Sequence, residues 1–173
     1  MNIRSYQSKL NNAQGRHFER LIEQACIYYN HKGIALIEKT PEPFTVTKLN
    51  GYGKFEGRFI GKAQPDFKGT LKGGQAIVFE AKYTTKDRIK QEVITRNQAR
   101  LLSVHEFLGA RVGVCCMINK TVGFVDWATW DSMLGKYGRK YITEEELREF
   151  EIPTPGFADF LGVTSDASIL STI

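Results

Sequence analysis

The stretch PDFKGTLKGGQAIVFEAK, residues 65–82, decides how this chain folds. Its LKGG run at residues 71–74 is typical of a β-hairpin turn, because glycine accepts the positive φ angles that tight turns require. The apolar run at residues 76–79 predicts a buried strand that leads into Glu80. A hairpin of this length brings Asp66 beside Glu80.

Three charged side chains of this stretch are expected to meet at one sheet edge. Strand alternation places Glu80 and Lys82 on one face of the strand and Ala81 on the other. Carboxylates can hold Mg²⁺, and a lysine can orient water or stabilise charge on a phosphate. The group therefore indicates metal-assisted phosphodiester hydrolysis, with Asp66 and Glu80 as ligands of Mg²⁺, or of Mn²⁺ in its place, and Lys82 as the catalytic lysine.

The same residues also allow a purely structural interpretation. An Asp before a turn and a Glu-x-Lys on a strand occur on solvated surfaces, where they form a cross-strand ion pair. The apolar residues before Glu80 favour the catalytic interpretation, because a carboxylate on a buried strand needs a partner or a metal.

Length and composition indicate one globular domain over residues 1–173, with 42% apolar and 25% charged residues. No apolar stretch has membrane-spanning length, and the N-terminus lacks an apolar signal core, so no membrane partner is expected. The three cysteines form no Cys-x-x-Cys pair, which argues against zinc and disulfides and makes a reducing cytoplasm the expected location.

The net charge is +5, from 24 Lys and Arg against 19 Asp and Glu, and it is unevenly distributed. Residues 151–173 carry three acidic side chains and no basic one. Residues 44–64 carry one acidic side chain, interleaved aromatics and four basic residues: Lys48, Lys54, Arg58 and Lys62. We interpret this segment as a basic, protruding arm that contacts DNA through those four side chains.

The order of predicted elements is that of an α/β protein. Apolar spacing predicts a first helix over residues 12–29, capped by Asn11 or Asn12 and ended by Gly33. Thr143 and Glu146 form a capping box that opens a short helix. The remaining expectations are strands at 33–39, 45–49, 54–60, 111–118 and 122–126, and helices at 91–108 and 127–134.

The predicted elements follow the order of the restriction-endonuclease-like fold, a mixed sheet flanked by helices. That order is helix, strand, a hairpin bearing Asp and Glu-x-Lys, helix and strand. Within that fold the chain resembles the RecU-type Holliday junction resolvases of bacteria and their phages, over about residues 12–150. The segments that carry the resemblance are GRHFE at 15–19, the strand leading into PEP at 41–43, PDF at 65–67, FEAK at 79–82 and RKYI with EEEL at 139–147.

The resemblance implies roles for single residues. Asp66 and Glu80 would be the metal ligands and Lys82 the catalytic lysine. Glu19 matches an acidic residue that related resolvases place near the metal, although a solvated helix carboxylate is an equal alternative. Gln98 falls where such nucleases carry a polar residue facing the site, or it is an exposed amide.

The resemblance also implies a substrate and an assembly. The arm at 44–64 would be the stalk that enters the open centre of a four-way junction, and the enzyme would be a homodimer that cuts strands of like polarity symmetrically. The segment before the first helix is short, and the tail at 151–173 is apolar with a small excess of acidic residues. Both features fit a phage-encoded or compact member of the family. That tail would pack on the core or on the dimer partner.

Three other functions compete with junction resolution. A restriction or repair nuclease would share Asp66, Glu80 and Lys82 but would not need the basic arm. A non-catalytic DNA-binding module would need the arm, but carboxylates repel phosphates unless a metal intervenes. A thiol enzyme is the weakest alternative, because Cys115 and Cys116 point to opposite faces of a strand and one of them must lie in the core.

Overall fold

A mixed five-stranded sheet lies at the centre of the protein. The structure is a computed structural model that describes residues 3–41, 43–59 and 64–165. The sheet has the order β1-β4-β5-β7-β8, in which β5 and β7 run parallel and the other neighbours run antiparallel. In chain order the helices and strands are α1 (Ile3–His31), β1 (Ala35–Lys39), β2 (Phe44–Leu49), β3 (Phe55–Phe59), β4 (Phe67–Leu71), β5 (Ala76–Thr84), β6 (Arg88–Lys90), α2 (Arg96–Phe107), β7 (Arg111–Ile118), β8 (Thr121–Asp126), α3 (Trp127–Asp131), α4 (Met133–Tyr137), β9 (Tyr141–Thr143) and α5 (Glu144–Leu147).

Helices cover both faces of this sheet. Successive side chains of β5 point to opposite faces, so Ile77 and Phe79 pack with α1 whereas Val78 packs in the cluster that contains α2. The predicted architecture, a mixed central sheet flanked by helices, is confirmed. The assignment of residues 1–173 to one domain stays a prediction. Among the helices of the described ranges, none has an apolar stretch long enough to cross a membrane.

The β4–β5 hairpin forms where the sequence predicts it. Gly73 and Gly74 have φ angles of 95° and 93°, which side chains with a Cβ rarely adopt. The N–H of Leu71 donates to the carbonyl of Gln75 at 2.8 Å and closes the turn. Phe67 then lies opposite Phe79 in the register, which sets Asp66 beside the following residues of β5.

The arm is a separate two-stranded sheet of β2 and β3. Its turn closes through the N–H of Asn50, which donates to the carbonyl of Lys54 at 2.8 Å. None of the side chains described between residues 44 and 58 is buried, and Tyr52 at the tip is fully exposed. The hairpin therefore projects from the body of the protein, as the sequence predicts. Residues 60–63 lie outside the described residues.

Two helix starts differ from the prediction. α1 continues through Asn11 and Asn12 back to Ile3, so neither asparagine caps it, whereas Gly33 ends it at a φ of 62° as predicted. Apolar spacing could not find the earlier start, because the added turns are largely polar. The predicted helix at 91–108 is a 3-10 turn over Gln91–Val93 followed by α2, which begins at Arg96 because Thr95 caps it there.

Other elements were wrongly joined or missed. The helix predicted at 127–134 is two short helices that meet at Ser132, whose hydroxyl donates to the carbonyl of Ala128. Strands β6 and β9 were not predicted, because each has three residues and their pairing joins segments about 50 residues apart. The capping box of Thr143 and Glu146 is present at the start of α5.

The described part of the tail packs on the protein's own core. Phe160 is buried, with its ring centroid 4.9 Å from that of Phe79 and 5.1 Å from that of Tyr29. Burying such a side chain contributes about 1.5–3 kcal/mol to folding. The carboxylate of Asp159 is fully buried and accepts hydrogen bonds from Tyr29 and Thr164. The bond from Tyr29 attaches the tail to helix α1. Residues 166–173 lie outside the described residues.

Candidate metal and catalytic site

The β4–β5 hairpin brings two carboxylates and an ammonium group together. Asp66 directly precedes β4, while Glu80 and Lys82 lie two residues apart on one face of β5. The ammonium Nζ of Lys82 lies 2.7 Å from Oε2 of Glu80 and 3.4 Å from Oδ2 of Asp66. The backbone N–H of Ala81 donates to Oδ2 of Asp66 at 2.9 Å, which fixes that carboxylate against the strand.

Gln98 completes this group from α2. Its side chain is buried, and its Nε2 donates to Oε2 of Glu80 at 2.8 Å. The exposed alternative for Gln98 therefore does not apply. The orientation of the amide follows from its other end, because Oε1 accepts hydrogen bonds from the N–H and the hydroxyl of Thr95.

Thr95 was not identified from the sequence, although a signal was there. Thr95 and Gln98 form a capping box at the start of α2, with the Thr–x–x–Gln spacing of that motif. The box thus has two functions: it satisfies the first free amides of the helix and it aims the amide of Gln98 at Glu80.

The buried position of Glu80 changes its acidity. Burial raises the pKa of Glu80 to about 7, the positive charge of Lys82 opposes this shift and the negative charge of Asp66 adds to it. Burial alone would lower the pKa of Lys82, but Asp66 and Glu80 outweigh it and the pKa is raised. The ammonium of Lys82 therefore stays charged between two carboxylates.

The donor set fits a divalent cation. Oε2 of Glu80 accepts hydrogen bonds from Lys82 and Gln98, whereas Oε1 is buried without a hydrogen-bond partner. A buried carboxylate oxygen without a partner is costly, and a cation would satisfy it. Asp66 and Glu80 supply the oxygen ligands that Mg²⁺ and Mn²⁺ accept.

Glu19 forms an ion pair with Lys39 of β1. The Nζ of Lys39 lies 2.6 Å from Oε2 of Glu19 and 3.6 Å from Oε1 of Glu23. Glu19 lines a cleft of about 500 Å³ that reaches Ala81, on the α1 side of β5. Within the described residues, no three acidic, histidine or cysteine side chains are grouped closely enough to hold a metal. A role for Glu19 near the metal stays a prediction.

The cations predicted to bind DNA lie on the arm. Lys48, Lys54 and Arg58 are exposed there. Lys48 lies 3.9 Å from a carboxylate oxygen of Glu56, a separation at which an exposed ion pair contributes little. Lys62 lies outside the described residues. Contact of these residues with DNA stays a prediction.

The three cysteines are free and buried. Cys115 and Cys116 pack in the clusters on opposite faces of the sheet, so both belong to the core. Burial raises the pKa of the Cys26 thiol to about 12 and also raises those of Cys115 and Cys116. Because the thiolate is the nucleophile, these positions do not suit thiol catalysis.

Comparison with known proteins places the chain in a family. Residues 13–153 match the model of the RecU family, which is described as Recombination protein U. No curated protein matches the chain. Among solved structures, Hjc of Archaeoglobus fulgidus, a Holliday junction resolvase from an archaeal hyperthermophile, has 14% sequence identity and a TM-score of 0.47, with 80% of this chain and 92% of that chain covered. Since the family match covers most of the chain, the protein belongs to the RecU family.

Proposed function

We propose that this protein is a structure-specific endonuclease that resolves four-way (Holliday) DNA junctions in recombination and repair. The observation that carries the proposal is the meeting of Asp66, Glu80 and Lys82 at one end of the sheet in a member of the RecU family. The resemblance to bacterial and phage resolvases makes the bacterial cytoplasm the expected place of action.

The chemistry would be metal-dependent hydrolysis of a phosphodiester. Asp66 and Glu80 would hold Mg²⁺, or Mn²⁺ in its place, and the unpartnered Oε1 of Glu80 supports this assignment. When bound, such an ion polarises the phosphate and lowers the pKa of a coordinated water.

The other residues of the site would assist in fixed positions. Lys82 lies close enough to both carboxylates to place its charge beside the scissile phosphate, where negative charge develops in the transition state. Gln98 would hold Glu80 in one orientation, since its amide is fixed by Thr95. Fixed dipoles and charges favour the transition state because they need no reorganisation during the reaction.

The arm would provide selectivity for branched DNA. An exposed two-stranded projection fits the open centre of a junction, which linear duplex does not offer. Lys54 and Arg58 would contact phosphates there. A homodimer would bring two sites to strands of like polarity, so that both cuts are symmetric.

Cleavage of synthetic DNA tests this proposal. The protein is incubated with a four-way junction and with a linear duplex of the same sequences, with and without Mg²⁺, in excess competitor duplex. We expect paired cuts in strands of like polarity, only with the metal and only in the junction. The variant Asp66→Asn is the control for a contaminating nuclease.

The alternatives give different results in this experiment. Equal cutting of duplex and junction would indicate a restriction-type or repair-type nuclease. Tight junction binding without cutting in Mg²⁺ or Mn²⁺ would indicate a non-catalytic binding module. The partly exposed Asp66 argues against such a module, because a carboxylate at a DNA-binding face weakens binding unless a cation neutralises it.

A further inference from the structure

A basic cleft begins at the catalytic lysine and follows the chain away from it. The cleft has a volume of about 590 Å³. Four of the residues that line it are cationic: Lys82, Lys86, Arg88 and Lys90. The chain bends at residues 85–87, so Lys86 lies in the bend, whereas Arg88 and Lys90 lie on β6.

Lys82 lies between the carboxylates of Asp66 and Glu80, whereas the other three cations have exposed acidic partners or none among the described residues. Asp87 is the one acidic residue among those that line the cleft. It pairs with Arg88 at 2.9 Å, and Lys90 pairs with Glu92 outside the cleft at 3.1 Å. All four of these side chains are exposed, so each ion pair contributes little to stability. A phosphate can therefore replace the carboxylate as the partner of Arg88 or Lys90. No carboxylate pairs with Lys86 in the part of the chain that the structure describes.

The wall of the cleft is held in place by the core. β6 pairs with β9, and their central residues Ile89 and Ile142 are buried. Because Ile89 points inward, Arg88 and Lys90 on either side of it point outward together. The guanidinium of Arg88 lies 4.9 Å from the ring centroid of Tyr141 on β9. Arg88 and Lys90 therefore project from a supported strand pair, and Lys86 lies in the bend just before it.

We propose that this cleft, defined by Lys86, Arg88 and Lys90, binds the phosphate backbone of the DNA strand next to the cleaved phosphodiester. The inference rests on the proposed function, because it takes Lys82 as the point of cleavage. Arg88 and Lys90 are alternate residues of β6, so their backbones lie about 6.6–6.8 Å apart, close to the separation of successive phosphates along a DNA strand. These two cations would thus meet neighbouring phosphates, and Lys86 would add a contact from the bend.

This contact differs from that of the arm in what it recognises. The arm of the protein would bind the open centre of a junction. The cleft would bind the DNA strand beside the cut, whichever branch of the junction that strand belongs to. It would fix the register of the scissile phosphate and carry no sequence information, as backbone contacts generally do.

The test removes charge from the cleft and, separately, from the DNA. The double variant Lys86→Gln/Lys90→Gln changes two exposed side chains. Its matched control is Lys32→Gln/Lys72→Gln, which removes the same charge from exposed positions at the opposite end of β5, where Lys72 bonds to Ile34. Junction affinity of the full chain is measured without metal over a range of salt concentrations.

We expect the cleft variant to flatten the plot of log affinity against log salt by about 1.8 units, roughly 0.9 for each lost phosphate contact. Affinity at 0.1 M salt should fall on the order of tenfold per contact. The loss should affect linear duplex as well as junction, because the cleft reads only the backbone. The control variant should lose less than a third of this slope.

Neutral linkages then locate the contact. Junctions with a methylphosphonate at one position, moved stepwise along both sides of the cleavage point, are bound by the unaltered protein and by the cleft variant. We expect the unaltered protein to lose affinity at two or more linkages on one side, and the cleft variant to lose nothing further at the linkages that Lys86 and Lys90 contact. Equal losses for both proteins at every linkage would overturn the proposal.

Failure of this inference can be told from failure of the proposed function. If the unaltered protein cuts junctions selectively but the cleft variant keeps the full salt slope, the cleft proposal alone is wrong. If the unaltered protein does not prefer junctions, the proposed function is wrong, and the neutral linkages still decide whether the cleft binds a strand.

Discussion

The amide of Gln98 and the carboxylate of Glu80 are joined by a buried hydrogen bond of 2.8 Å. One partner lies on helix α2 and the other on strand β5, so the bond fixes the helix start relative to the sheet. Thr95 holds the far end of the same amide. The acidic group at the candidate metal site is thus oriented by a helix cap.

Replacement of Gln98 by leucine should slow cleavage. We expect a loss of about 10–100-fold, the range typical when a group that orients a metal ligand is removed, together with a higher Mg²⁺ requirement. Single-turnover cleavage over a Mg²⁺ titration measures both. The matched control is Glu146→Leu, which removes the equivalent residue of the second capping box and should lower stability without lowering the rate. Equal rate losses in both variants would contradict the role of Gln98.

Asp66→Asn and Glu80→Gln should each abolish cleavage while junction binding remains. Each change removes a carboxylate that would bind the metal and alters the shape of the side chain very little. Gel shifts measure binding, titration calorimetry measures Mg²⁺ uptake, and Glu38→Gln on the exposed face of β1 serves as the control. Undiminished Mg²⁺-dependent cutting by Asp66→Asn would mean that the site is assigned wrongly.

Lys82→Ala should lower the cleavage rate by at least about a hundredfold, since it removes the charge beside the scissile phosphate. The rate at saturating junction and saturating Mg²⁺ measures this effect independently of binding. Lys68→Ala provides the comparison, because Lys68 lies on the neighbouring strand and its ammonium group donates to the side chain of Gln64. A rate near that of the unaltered protein would leave Lys82 with a purely structural role.

Lys54→Ala/Arg58→Ala should weaken binding to junctions more than binding to linear duplex. Each lost phosphate contact flattens the plot of log affinity against log salt by about one unit, so one to two units are expected. The fold should persist, because both side chains lie on an exposed hairpin. If the variant binds and resolves junctions normally at about 150–200 mM salt, where surface charges are well screened, the arm is not a DNA contact.

Asp159→Asn should destabilise the protein by roughly 1.5–3 kcal/mol, the range for hydrogen bonds to a charged group. Burial alone would raise the pKa of Asp159, but hydrogen bonds from Thr164, Tyr29 and the N–H of Val163 lower it below its usual 3.8. A lowered folded-state pKa stabilises the protein above about pH 4, and this stability is lost as the pH falls through the folded-state value.

The difference in unfolding free energy between Asp159→Asn and the unaltered protein should therefore shrink between about pH 5 and pH 2. Urea unfolding at matched protein concentration measures it. Asp126→Asn is the control, because Asp126 is exposed and its side chain makes no cap hydrogen bond. A difference that stays constant with pH would show that the charge of Asp159 is not what stabilises the tail.

Local signals explain why the central part of the fold was predictable. The hairpin that joins Asp66 to Glu80 depends on Gly73 and Gly74, and both residues adopt the positive φ angles that the sequence implies. Strand alternation then fixed the relative positions of Glu80 and Lys82. These relationships span fewer than 20 residues, so neighbouring residues determine them.

Contacts between distant segments explain what could not be predicted. The pairing of Glu19 with Lys39 joins a helix to a strand, and the bond from Tyr29 to Asp159 spans 130 residues. No periodicity shows that Asp159 is buried, because acidic residues in an acid-leaning tail usually face water. Gln98 is an intermediate case. Its capping box with Thr95 can be recognised from the sequence, but its bond to Glu80 depends on tertiary packing.

The parallel pairing of β5 with β7 has a consequence for the order in which the site forms during folding. The β4–β5 hairpin closes over a short loop, on a timescale of about microseconds, whereas a parallel pair must wait until the intervening helix is in place. The nascent chain thus acquires its two carboxylates while they are still hydrated and acquires the burial of Glu80 only when α2 docks. The proposed metal site would therefore be complete only once α2 has docked.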